Sequence, residues 1–397
     1  MNGNTQVVVI GGGYAGVMAA NRLTQRDDVA VTLVNPRASF VNRVRLHQHV
    51  GGTGDAVVAY RDVLAEGVEL VVDSVERIDA EGRALALEGG GTVRYDYLIY
   101  AVGSGGTVAG VPGAGEFAYP IATLEDAERL KPVLDGAPVT APVVVVGAGP
   151  TGIETAAELA EAGRNVTLVC GGVLGPYLHA RGRRSVAGRL AELGVVVLEG
   201  PGTEVTGVAR DAVRLADGRD VASGVTIWTA GFTVPDLAVR SGLSTDAHGR
   251  LLTDETLTSV DDPRILAAGD SAAPSGLPLR MSCQAAMPLG ARAADTILSR
   301  IAGREPENLR QFFAGQCISL GRGAGIYQFA HRSDVALWFH VDGRPGARLK
   351  ELVCNIILKH LAEEAHKPGG FRLHRMPGSP KRQQQLRARR DEALVTT

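Results

Sequence analysis

The stretch VVVIGGGYAGVMAANRL (residues 7–23) decides the fold of this chain, and the stretch VVVVGAGPTGIETAAEL (residues 143–159) repeats its pattern. Each begins with four apolar residues, passes through Gly-x-Gly-x-x-Gly and continues into an Ala-rich run. A second apolar run follows each copy, at Val31–Val34 and Val166–Val169. This pattern predicts a strand, a tight turn, a helix and a second strand in each copy.

The glycines of both copies indicate nucleotide binding. They permit a tight turn and let the backbone approach a pyrophosphate, which sits on the amides at the positive N-terminus of the following helix. Two copies about 136 residues apart predict two dinucleotides, and the economical pair is a flavin and a nicotinamide that exchange a hydride. The turn residues expected at the nucleotides are Gly11, Gly13, Tyr14, Ala15 and Gly16 in the first copy and Gly147, Gly149, Thr151 and Gly152 in the second.

Composition and charge limit the classes of function. A chain of 397 residues with 45% hydrophobic content is long enough for two or three domains. The net charge of −2 disfavours a general attraction to nucleic acid, so we expect no such partner. The four cysteines show no close spacing, which disfavours disulfide exchange and a cysteine metal site, and we expect no bound metal.

Membrane insertion is not expected. No run reaches the roughly eighteen apolar residues of a spanning helix, and the N-terminus enters the first strand without a signal segment. We therefore predict a cytoplasmic protein, with peripheral contact to the inner face of the membrane left open. Monomer and homodimer are both open.

Four motifs in a fixed order carry a resemblance to a known family: Gly11–Gly16, Tyr97–Ser104, Gly147–Glu154 and Ala267–Asp270. This order resembles that of the two-dinucleotide-domain flavoproteins, the FAD- and NAD(P)-dependent pyridine nucleotide-disulfide oxidoreductase superfamily. Within it, Trp228–Phe232 and Gln284–Ala286 are similar to the type II NADH dehydrogenase branch and its apoptosis-inducing-factor-like relatives. The resemblance covers residues 5–305 well and the remainder loosely.

The resemblance implies an α/β fold with two Rossmann-like domains, the second inserted in the first, and a small α+β C-terminal domain. FAD and NAD(P)H are the implied cofactors. A basic tail follows, which we expect to be solvated because such charge runs usually stay disordered, with contact to an anionic lipid or a partner left open. The expected boundaries are 1–112 and 242–305 for the FAD-binding domain, 113–241 for the NAD(P)-binding domain, 306–370 for the C-terminal domain and 371–397 for the tail.

The resemblance also implies roles for residues around the FAD. Asp270 is expected to accept hydrogen bonds from the ribityl chain, or else to cap the segment that follows it. Asn35 stands where an acid normally binds the adenosine ribose, and its amide can still bond a hydroxyl. Arg37 is expected at the adenine or pyrophosphate, with a plain surface arginine as the equal alternative. The further predicted cofactor contacts are Arg43, Ala101, Gly103, Gly231 and Gly269.

In the second copy, Glu154 is implied to lie beside the nicotinamide and the flavin, or else to stabilise its helix through the dipole. The second strand of this copy ends in Cys170, where an NADH-specific enzyme usually carries an acid. Farther on, Arg181, Arg183 and Arg184 either attract a 2′-phosphate or begin an exposed helix. The sequence therefore leaves NADH versus NADPH open.

The loop from Phe40 to His49 borders the flavin in related enzymes. Arg43 and Arg45 are expected to stabilise the anionic reduced flavin, and His47 is expected to serve a protonation step. A polar exposed loop is the equal alternative. Hydride transfer itself needs only a close, dry approach of the nicotinamide to the flavin.

The electron acceptor is defined by fewer residues. Type II NADH dehydrogenases carry Ala-Gln-x-Ala-x-Gln near the quinone pocket. The matching stretch keeps Gln284, a predicted catalytic contact, but has Pro288 in place of the second glutamine, which weakens the case for a quinone. The helix predicted at Ala347–Ala365 has an apolar stripe that we expect to pack on its own domain rather than on lipid.

The leading hypothesis is an FAD-dependent NAD(P)H dehydrogenase that passes hydride from NAD(P)H to FAD and electrons onward to a small acceptor such as a quinone. A second hypothesis replaces the quinone by a specialised metabolite or by oxygen. A third is an NADH-responsive redox-sensing binding protein, with the basic tail as its contact surface.

Overall fold

A computed structural model describes residues 4–108 and 110–396, with side chains through residue 389. Residues 1–3 of the predicted first domain, and Thr397 and the side chain of Arg390 in the predicted tail, lie outside the described residues. The first segment of the chain contains β1 (Thr5–Ile10), α1 (Tyr14–Leu23), β2 (Val29–Asn35), β3 (Ser39–Val41), α2 (Leu46–Gly51), β4 (Val57–Ala59), β5 (Val68–Val72), β6 (Val75–Asp79), β7 (Ala84–Leu87), β8 (Thr92–Arg94) and β9 (Tyr97–Tyr100).

A short connection leads into the second unit, and a return segment leads back. The connection and the second unit contain β10 (Gly105–Gly106), α3 (Ala114–Phe117), β11 (Ala118–Pro120), α4 (Leu124–Gly136), β12 (Pro142–Val146), α5 (Pro150–Glu161), β13 (Asn165–Val169), α6 (Ala180–Glu192), β14 (Val196–Leu198), β15 (Val205–Val208), β16 (Ala212–Leu215), β17 (Asp220–Ala222) and β18 (Val225–Trp228). The return segment contains β19 (Phe232–Thr233), α7 (Leu237–Arg240), β20 (Leu251–Thr253), β21 (Ile265–Ala267), β22 (Ala272–Pro274) and α8 (Cys283–Ile301).

Each glycine motif follows the central strand of a parallel sheet. The first sheet has the order β21-β9-β1-β2-β5, and the second has the order β11-β18-β12-β13-β14. β21 comes from the return segment and pairs in parallel with β9, so the second unit is inserted into the first. The predicted α/β class with two Rossmann-like sheets is confirmed.

The helix after the first glycine turn packs in backbone contact with α8. A Cβ at Gly290 would lie 2.1 Å from the Ala15 carbonyl oxygen, so only glycine permits this approach. α7 also packs on the first unit, because Leu237 and Ala238 share a buried cluster with Val8 and Ile78. The expected boundary at 241/242 assigns α7 to the second domain.

The last part of the chain adds an antiparallel sheet with a long helix across it. The sheet has the order β23-β24-β25, and the helix carries Val353 and Leu361 into the core around α1. The apolar stripe was expected to pack on its own domain, but Val353 and Leu361 reach the core of the first domain, and Leu352 on the same helix is 53% exposed. The elements are β23 (Gly315–Ser319), β24 (Gly325–Ala330), β25 (Ala336–Val341), α9 (Gly343–His366) and α10 (Pro380–Thr396).

Arg22, at the end of α1, ties the C-terminal part to the first domain. Its guanidinium is fully buried and pairs with Asp295 of α8 at 2.5 Å and with Glu364 of α9 at 2.8 Å. It also donates to the Phe371 carbonyl oxygen at 3.1 Å. His374 Nε2 lies 2.9 Å from the same Asp295 carboxylate.

The prediction of a solvated tail is wrong for residues 371–382. Phe371, His374 and Arg382 are buried, and Arg382 pairs with Glu255 at 2.6 Å and donates to the Pro274 carbonyl oxygen at 2.9 Å. Arg382 is neutralised by Glu255 of the return segment, whereas Arg372 and Lys381 remain exposed. Composition alone does not reveal those distant partners.

Candidate dinucleotide and electron-transfer site

The first glycine turn leaves its backbone open to a ligand. Gly11 has φ +101°, and a Cβ there would lie 2.4 Å from the Ala101 carbonyl oxygen. Gly13 precedes α1 with no side-chain cap, and nothing lies within 4 Å of the position its Cβ would take. Amide groups at the positive end of a ten-residue helix therefore face free space, which suits an anionic pyrophosphate.

A cavity of about 350 Å³ opens at this turn. The structure brings seven of the predicted cofactor residues to its wall: Gly11, Gly13, Asn35, Arg37, Arg43, Ala101 and Gly103. Tyr14, Ala15 and Gly16 are buried in the helix behind the turn. The wall also contains residues that sequence reasoning missed, because they stand on connecting elements without a motif: Tyr60, Asp73, Leu237 and Arg240. Ser104, the last residue of the Tyr97–Ser104 motif, lines the wall as well.

Tyr14 and Ala15 position the turn. The Tyr14 hydroxyl donates to Asn42 Oδ1 at 2.8 Å and accepts the Val44 amide at 3.3 Å, which holds the following loop against α1. Ala15 packs against Gly269, where an added Cβ would lie 2.9 Å away.

Asn35 is a structural part of the turn. Its Oδ1 accepts the Gly12 amide at 2.9 Å, and its Nδ2 donates to the Arg37 carbonyl oxygen at 2.9 Å. The Tyr60 hydroxyl donates to the Gly12 carbonyl oxygen at 3.0 Å. The Arg37 guanidinium lines the cavity and pairs with Glu125 of α4.

Asp270 stands in a polar cluster that spans three segments of the chain. Its Oδ2 accepts the Ser104 hydroxyl at 2.7 Å and lies 3.8 Å from Arg43 Nη1. Arg43 Nη1 also donates to the Ser104 hydroxyl oxygen at 3.3 Å. The carboxylate thus sits beside the cavity wall and next to a cation, an arrangement that suits a polyhydroxyl ligand.

The second glycine turn repeats the geometry of the first. Gly147 has φ +113°, and its Cβ would lie 2.6 Å from Thr229 Oγ1. Gly149 faces open space at the start of α5, and a Cβ at Gly152 would lie 1.8 Å from the Gly147 carbonyl oxygen. The Thr151 carbonyl oxygen accepts the Thr155 hydroxyl at 2.7 Å, inside the helix. Gly231, with φ +77°, turns the chain after β18.

Glu154 joins this second turn to the C-terminal part of the chain. Its Oε1 lies 2.8 Å from Lys350 Nζ and accepts the Ser319 amide at 2.9 Å, and its Oε2 lies 3.6 Å from His47 Nδ1. Burial opposes ionisation of Glu154, but the Lys350 charge and these contacts outweigh it and lower its pKa. Glu154 is therefore a buried carboxylate at neutral pH. It is also more than a dipole-stabilising residue of its helix.

Lys350 is the residue that sequence reasoning missed at this point. Burial favours its neutral form, but the Glu154 carboxylate dominates and raises the pKa of Lys350 well above its usual value. A signal was available, because Lys350 lies one turn before Cys354 and two before Ile357 on the buried face of α9. A lysine on an apolar helix face requires a buried partner.

His47 is neutral at physiological pH. Burial lowers its pKa from 6.5 to about 4, since the opposing attraction of Glu154 is countered by Lys350, Arg322 and Arg45. The Nε2 atom of His47 is buried, and it has no hydrogen-bond partner among the described residues, 4–108 and 110–396. An orphaned ring nitrogen beside the Glu154–Lys350 pair suits contact with a bound group. The alternative hypothesis, that these residues belong to a polar exposed loop, is wrong for His47, which is buried.

Arg45 binds the C-terminal helix. It pairs with Glu351 of α9, donates to Asn355 Oδ1 at 3.1 Å and donates to Gln48 Oε1 at 2.9 Å. The guanidinium therefore clamps α9 against the loop before α2.

The Gln284 region explains how α8 accommodates Pro288. Proline lacks the amide that would bond the carbonyl four residues earlier, and the Gln284 carbonyl oxygen instead accepts Gln311 Nε2 at 3.2 Å. The Gln284 side-chain oxygen accepts the Ala314 amide at 3.3 Å. Gln284 thus holds the segment that leads into β23.

Three cysteines that are distant in sequence lie near Lys350. Burial raises the pKa of Cys283 to about 12, and burial likewise raises the pKa of Cys317 and of Cys354. The thiols are therefore protonated at neutral pH, while the thiolate is the form that attacks disulfides.

The residues fit two dinucleotides. Each glycine turn offers free amides in open space at a helix N-terminus, and the cavity at the first turn is adjoined by the Asp270 cluster. Among the described residues, no group of three or more His, Cys, Asp or Glu side chains could hold a metal ion. None of the described helices is both long enough and apolar enough to cross a membrane.

Comparison with known proteins agrees with this geometry. The sequence profile of the pyridine nucleotide-disulphide oxidoreductase family matches residues 5–290. The chain is 31% identical over 354 residues to an NADH dehydrogenase-like protein of Mycobacterium tuberculosis, covering 81% of this chain and 87% of that protein. It is 28% identical over 369 residues to a type II NADH:quinone oxidoreductase of the same organism, covering 81% and 79%.

The fold has a counterpart among solved structures. The NDH2 protein of Plasmodium falciparum, determined in complex with NADH, superposes with a TM-score of 0.75 at 15% identity, covering 92% of this chain and 99% of that one. At this identity the likeness concerns the fold alone.

Proposed function

This chain belongs to the pyridine nucleotide-disulphide oxidoreductase family, and we propose from that premise that it passes electrons from NAD(P)H through FAD to a quinone. It is an oxidoreductase, and its cofactors are FAD and NAD(P)H. The family match does not identify the electron acceptor, so the quinone is the proposed part of this function. Similarity to the type II NADH:quinone oxidoreductase named above supports the choice of a quinone.

Bound FAD supplies a two-electron carrier between the two substrates. The chain's residues hold and shield the reacting groups. We assign Gly11, Gly13 and the Asp270 cluster to FAD binding, and Gly147 and Gly149 to the nicotinamide dinucleotide. Two turns at the carboxyl ends of the central strands let both pyrophosphates lie on helix N-termini, which leaves the nicotinamide and the flavin ring to meet between the units.

The observation that carries the proposal is the Glu154–Lys350 pair. Glu154 stands on the second turn of α5, the helix after the second glycine turn, and Lys350 comes from the C-terminal helix. The pair places a fixed cation and a fixed anion where the two units and the third domain meet. There Lys350 is a hydrogen-bond donor for the carbonyl oxygen of a quinone, and the Glu154 carboxylate holds the Lys350 ammonium in place.

The thiols argue against a disulfide or persulfide substrate. A disulfide reductase needs a cysteine that is readily a thiolate, whereas burial keeps Cys283, Cys317 and Cys354 protonated. A quinone requires electrons from the flavin and protons that solvent can supply, and neither requirement involves a thiolate. Pro288 leaves Gln284 as the single glutamine of the family's pair.

Anaerobic mixing of the FAD-loaded protein with NADH or NADPH tests the first half. We expect loss of the oxidised flavin absorbance with at least one of them, and a flavin that stays yellow with both would refute the proposal.

Adding menaquinone to the bleached protein tests the second half-reaction, electron transfer from the reduced flavin to a quinone. We expect the absorbance to return within the mixing time, whereas return with oxygen alone would favour the alternative of an oxygen or specialised-metabolite acceptor. Slow return with every acceptor would favour a redox-sensing protein.

We also propose that the protein acts in the cytoplasm and touches the membrane peripherally through β25. Trp338 and Phe339 are 61% and 48% exposed, and Arg181 lies 5.3 Å from the Trp338 ring centroid. Aromatic side chains beside arginine are typical of membrane-interface contacts. Co-sedimentation with anionic vesicles should fall at least fivefold in the Trp338→Ser/Phe339→Ser variant. A change of oligomeric state without a change in vesicle binding would assign this edge to a second copy of the chain.

A further inference from the structure

The second nucleotide unit lacks an acid at the position that usually distinguishes NADH from NADPH. That position, at the end of β13, holds Cys170. Burial raises the pKa of this thiol to about 12, so it carries no charge that could repel a 2′-phosphate. Any selectivity between the two dinucleotides must therefore come from a side chain other than Cys170.

Glu199 stands at the same edge of the sheet. It follows β14 directly, and β14 pairs in parallel with β13 so that Leu198 lies opposite Val169. The Cys170 amide donates to the Leu198 carbonyl oxygen at 2.8 Å. The two strand ends are therefore adjacent, and Glu199 is near enough to Cys170 to contribute to the rise in its pKa.

The Glu199 carboxylate points back over the loop that follows β13. Its Oε2 accepts the Leu174 amide at 3.0 Å. The next amide of the loop, that of Gly175, donates to the Ala148 carbonyl oxygen inside the second glycine turn at 3.1 Å. The carboxylate is thus held one peptide unit from a residue bonded to the pyrophosphate turn. In a bound dinucleotide the adenosine ribose is attached directly to the pyrophosphate, so the ribose and the Glu199 carboxylate both lie next to the pyrophosphate turn.

Two of the arginines that could attract a 2′-phosphate already have partners. The Arg181 guanidinium lies over the Trp338 ring of the C-terminal hairpin. Arg183 Nη2 donates to the Leu178 carbonyl oxygen at 3.4 Å, at the end of the loop that leads into α6. Glu199 contacts an earlier part of the loop, where its carboxylate accepts the Leu174 amide.

We propose that Glu199 replaces the missing acid: its carboxylate accepts the 2′-hydroxyl of the adenosine ribose and repels a 2′-phosphate, so that the protein prefers NADH to NADPH. The inference rests on the proposed function, because it assigns the nicotinamide dinucleotide to this turn. A 2′-phosphate carries about 1.5 to 2 negative charges at neutral pH. Next to a carboxylate that is partly screened by solvent, we expect a preference of roughly tenfold or more.

The test measures binding by calorimetry, using ADP-ribose and 2′-phospho-ADP-ribose with the FAD-loaded protein. The wild type should bind ADP-ribose at least tenfold more tightly than the phosphorylated compound. Glu199→Gln should reduce this ratio about tenfold, and Glu199→Asp, which keeps the charge, should retain most of it. Glu192→Gln, which alters an exposed glutamate of α6, is the matched control and should leave the ratio unchanged.

An unchanged ratio in Glu199→Gln overturns the inference, and so does a wild type that binds both compounds equally. Loss of selectivity in Glu199→Asp as well as Glu199→Gln also overturns it, because the charge would then not be the cause. Failure of the proposed function appears separately. In that case the calorimetric ratio responds to Glu199 while NADH leaves the flavin absorbance unchanged or menaquinone does not restore it.

Discussion

Lys350 Nζ lies 2.8 Å from Glu154 Oε1, and both side chains are buried. The contact joins the C-terminal helix to the helix after the second glycine turn. Each charge depends on the other, because an isolated charge in such a site costs several kcal/mol. The C-terminal domain therefore contributes to the electrostatics of the site.

Replacing Lys350 by methionine should destabilise the protein and disturb the site together. The change leaves Glu154 without its cation, so the pKa of Glu154 should rise and the free energy of unfolding should fall by about 3 kcal/mol or more. Urea unfolding of the FAD-loaded protein measures the first effect, and the rate of quinone reduction measures the second. Lys359→Met is the matched control, since Lys359 is exposed on the same helix and should change stability by about 0.5 kcal/mol at most.

The double variant Glu154→Gln/Lys350→Met separates charge from packing. It removes both ions, so it should recover part of the stability lost in Lys350→Met while quinone reduction stays slow. If the single variant were as stable as the wild type, the pair would not be the buried ion pair described above.

His47 predicts a dependence of stability on pH. Its pKa is about 4 in the folded protein and 6.5 in the unfolded chain, so the unfolded state binds a proton first as the pH falls. Stability is fully present above pH 6.5 and is lost as the pH falls from 6.5 toward 4. His47→Gln should lessen this loss by up to about 3 kcal/mol, because one pKa unit corresponds to about 1.4 kcal/mol.

Unfolding curves at pH 5 and pH 7.5 for the wild type and His47→Gln give the measurement. The difference between the two proteins isolates His47 from other histidines, including His374, whose pKa burial also lowers. Equal pH slopes in both proteins would show that His47 titrates normally and is not held neutral. Mutation of the partly exposed His49 to Gln serves as the control and should leave the slope of the wild type unchanged.

The parallel sheets were predictable from the sequence because their strands are continuous apolar runs. The strand predicted at Val31–Val34 lies within β2, Val29–Asn35, and the helix predicted at Ala347–Ala365 lies within α9, Gly343–His366. The two-residue strands β10 and β19 were not predicted. Strands of that length are set by pairing between distant segments and carry no periodicity of their own.

The site was predictable only where a local motif encodes it. The two glycine turns are predictable from the spacing of their glycines. Positions 11 and 147 have positive φ and close neighbouring atoms, and only glycine tolerates both conditions. Lys350, Gln311 and Glu199 act through partners far away in sequence, so neither composition nor periodicity identifies them. Arg382 shows the same limit, since its partner Glu255 is distant in sequence and holds part of a basic segment against the first domain.

Asp270 should control FAD content. Its carboxylate accepts the Ser104 hydroxyl and neighbours Arg43, so Asp270→Ala removes the anion of that cluster and the proposed ribityl contact. We expect the FAD-to-protein ratio after purification to fall at least tenfold. Asp220→Ala is the control, because Asp220 of β17 forms an exposed pair with Arg214 of β16. Full FAD occupancy in Asp270→Ala would contradict the assignment.

Arg22 should control the attachment of the C-terminal part. Arg22→Met leaves the fully buried Glu364 carboxylate without its cation and removes from Asp295 its nearest cation, leaving Arg375 at 3.7 Å. We expect a loss of about 3–5 kcal/mol in the free energy of unfolding. Trypsin should also cleave after Arg372 or Arg375 much sooner, because the Phe371 carbonyl contact is lost. Arg26→Met, which breaks an exposed pair with Asp28, should change neither measurement, and a tail that stays resistant in Arg22→Met would contradict this role.

The two glycine turns should respond independently to the same substitution. Gly13 and Gly149 both have extended backbone with negative φ, and nothing lies within 4 Å of the Cβ that valine would add. The protein should therefore fold normally with valine at either position, while the new side chain blocks a pyrophosphate on that turn.

Gly13→Val should lose FAD but still bind ADP-ribose by calorimetry. Gly149→Val should keep FAD, lose ADP-ribose binding at least tenfold and lose reduction of the flavin by NADH. Thermal unfolding of both variants checks that the fold is intact. The opposite pattern, FAD lost in Gly149→Val and kept in Gly13→Val, would exchange the two assignments, and loss of both ligands in either variant would mean that the two turns do not act as separate sites.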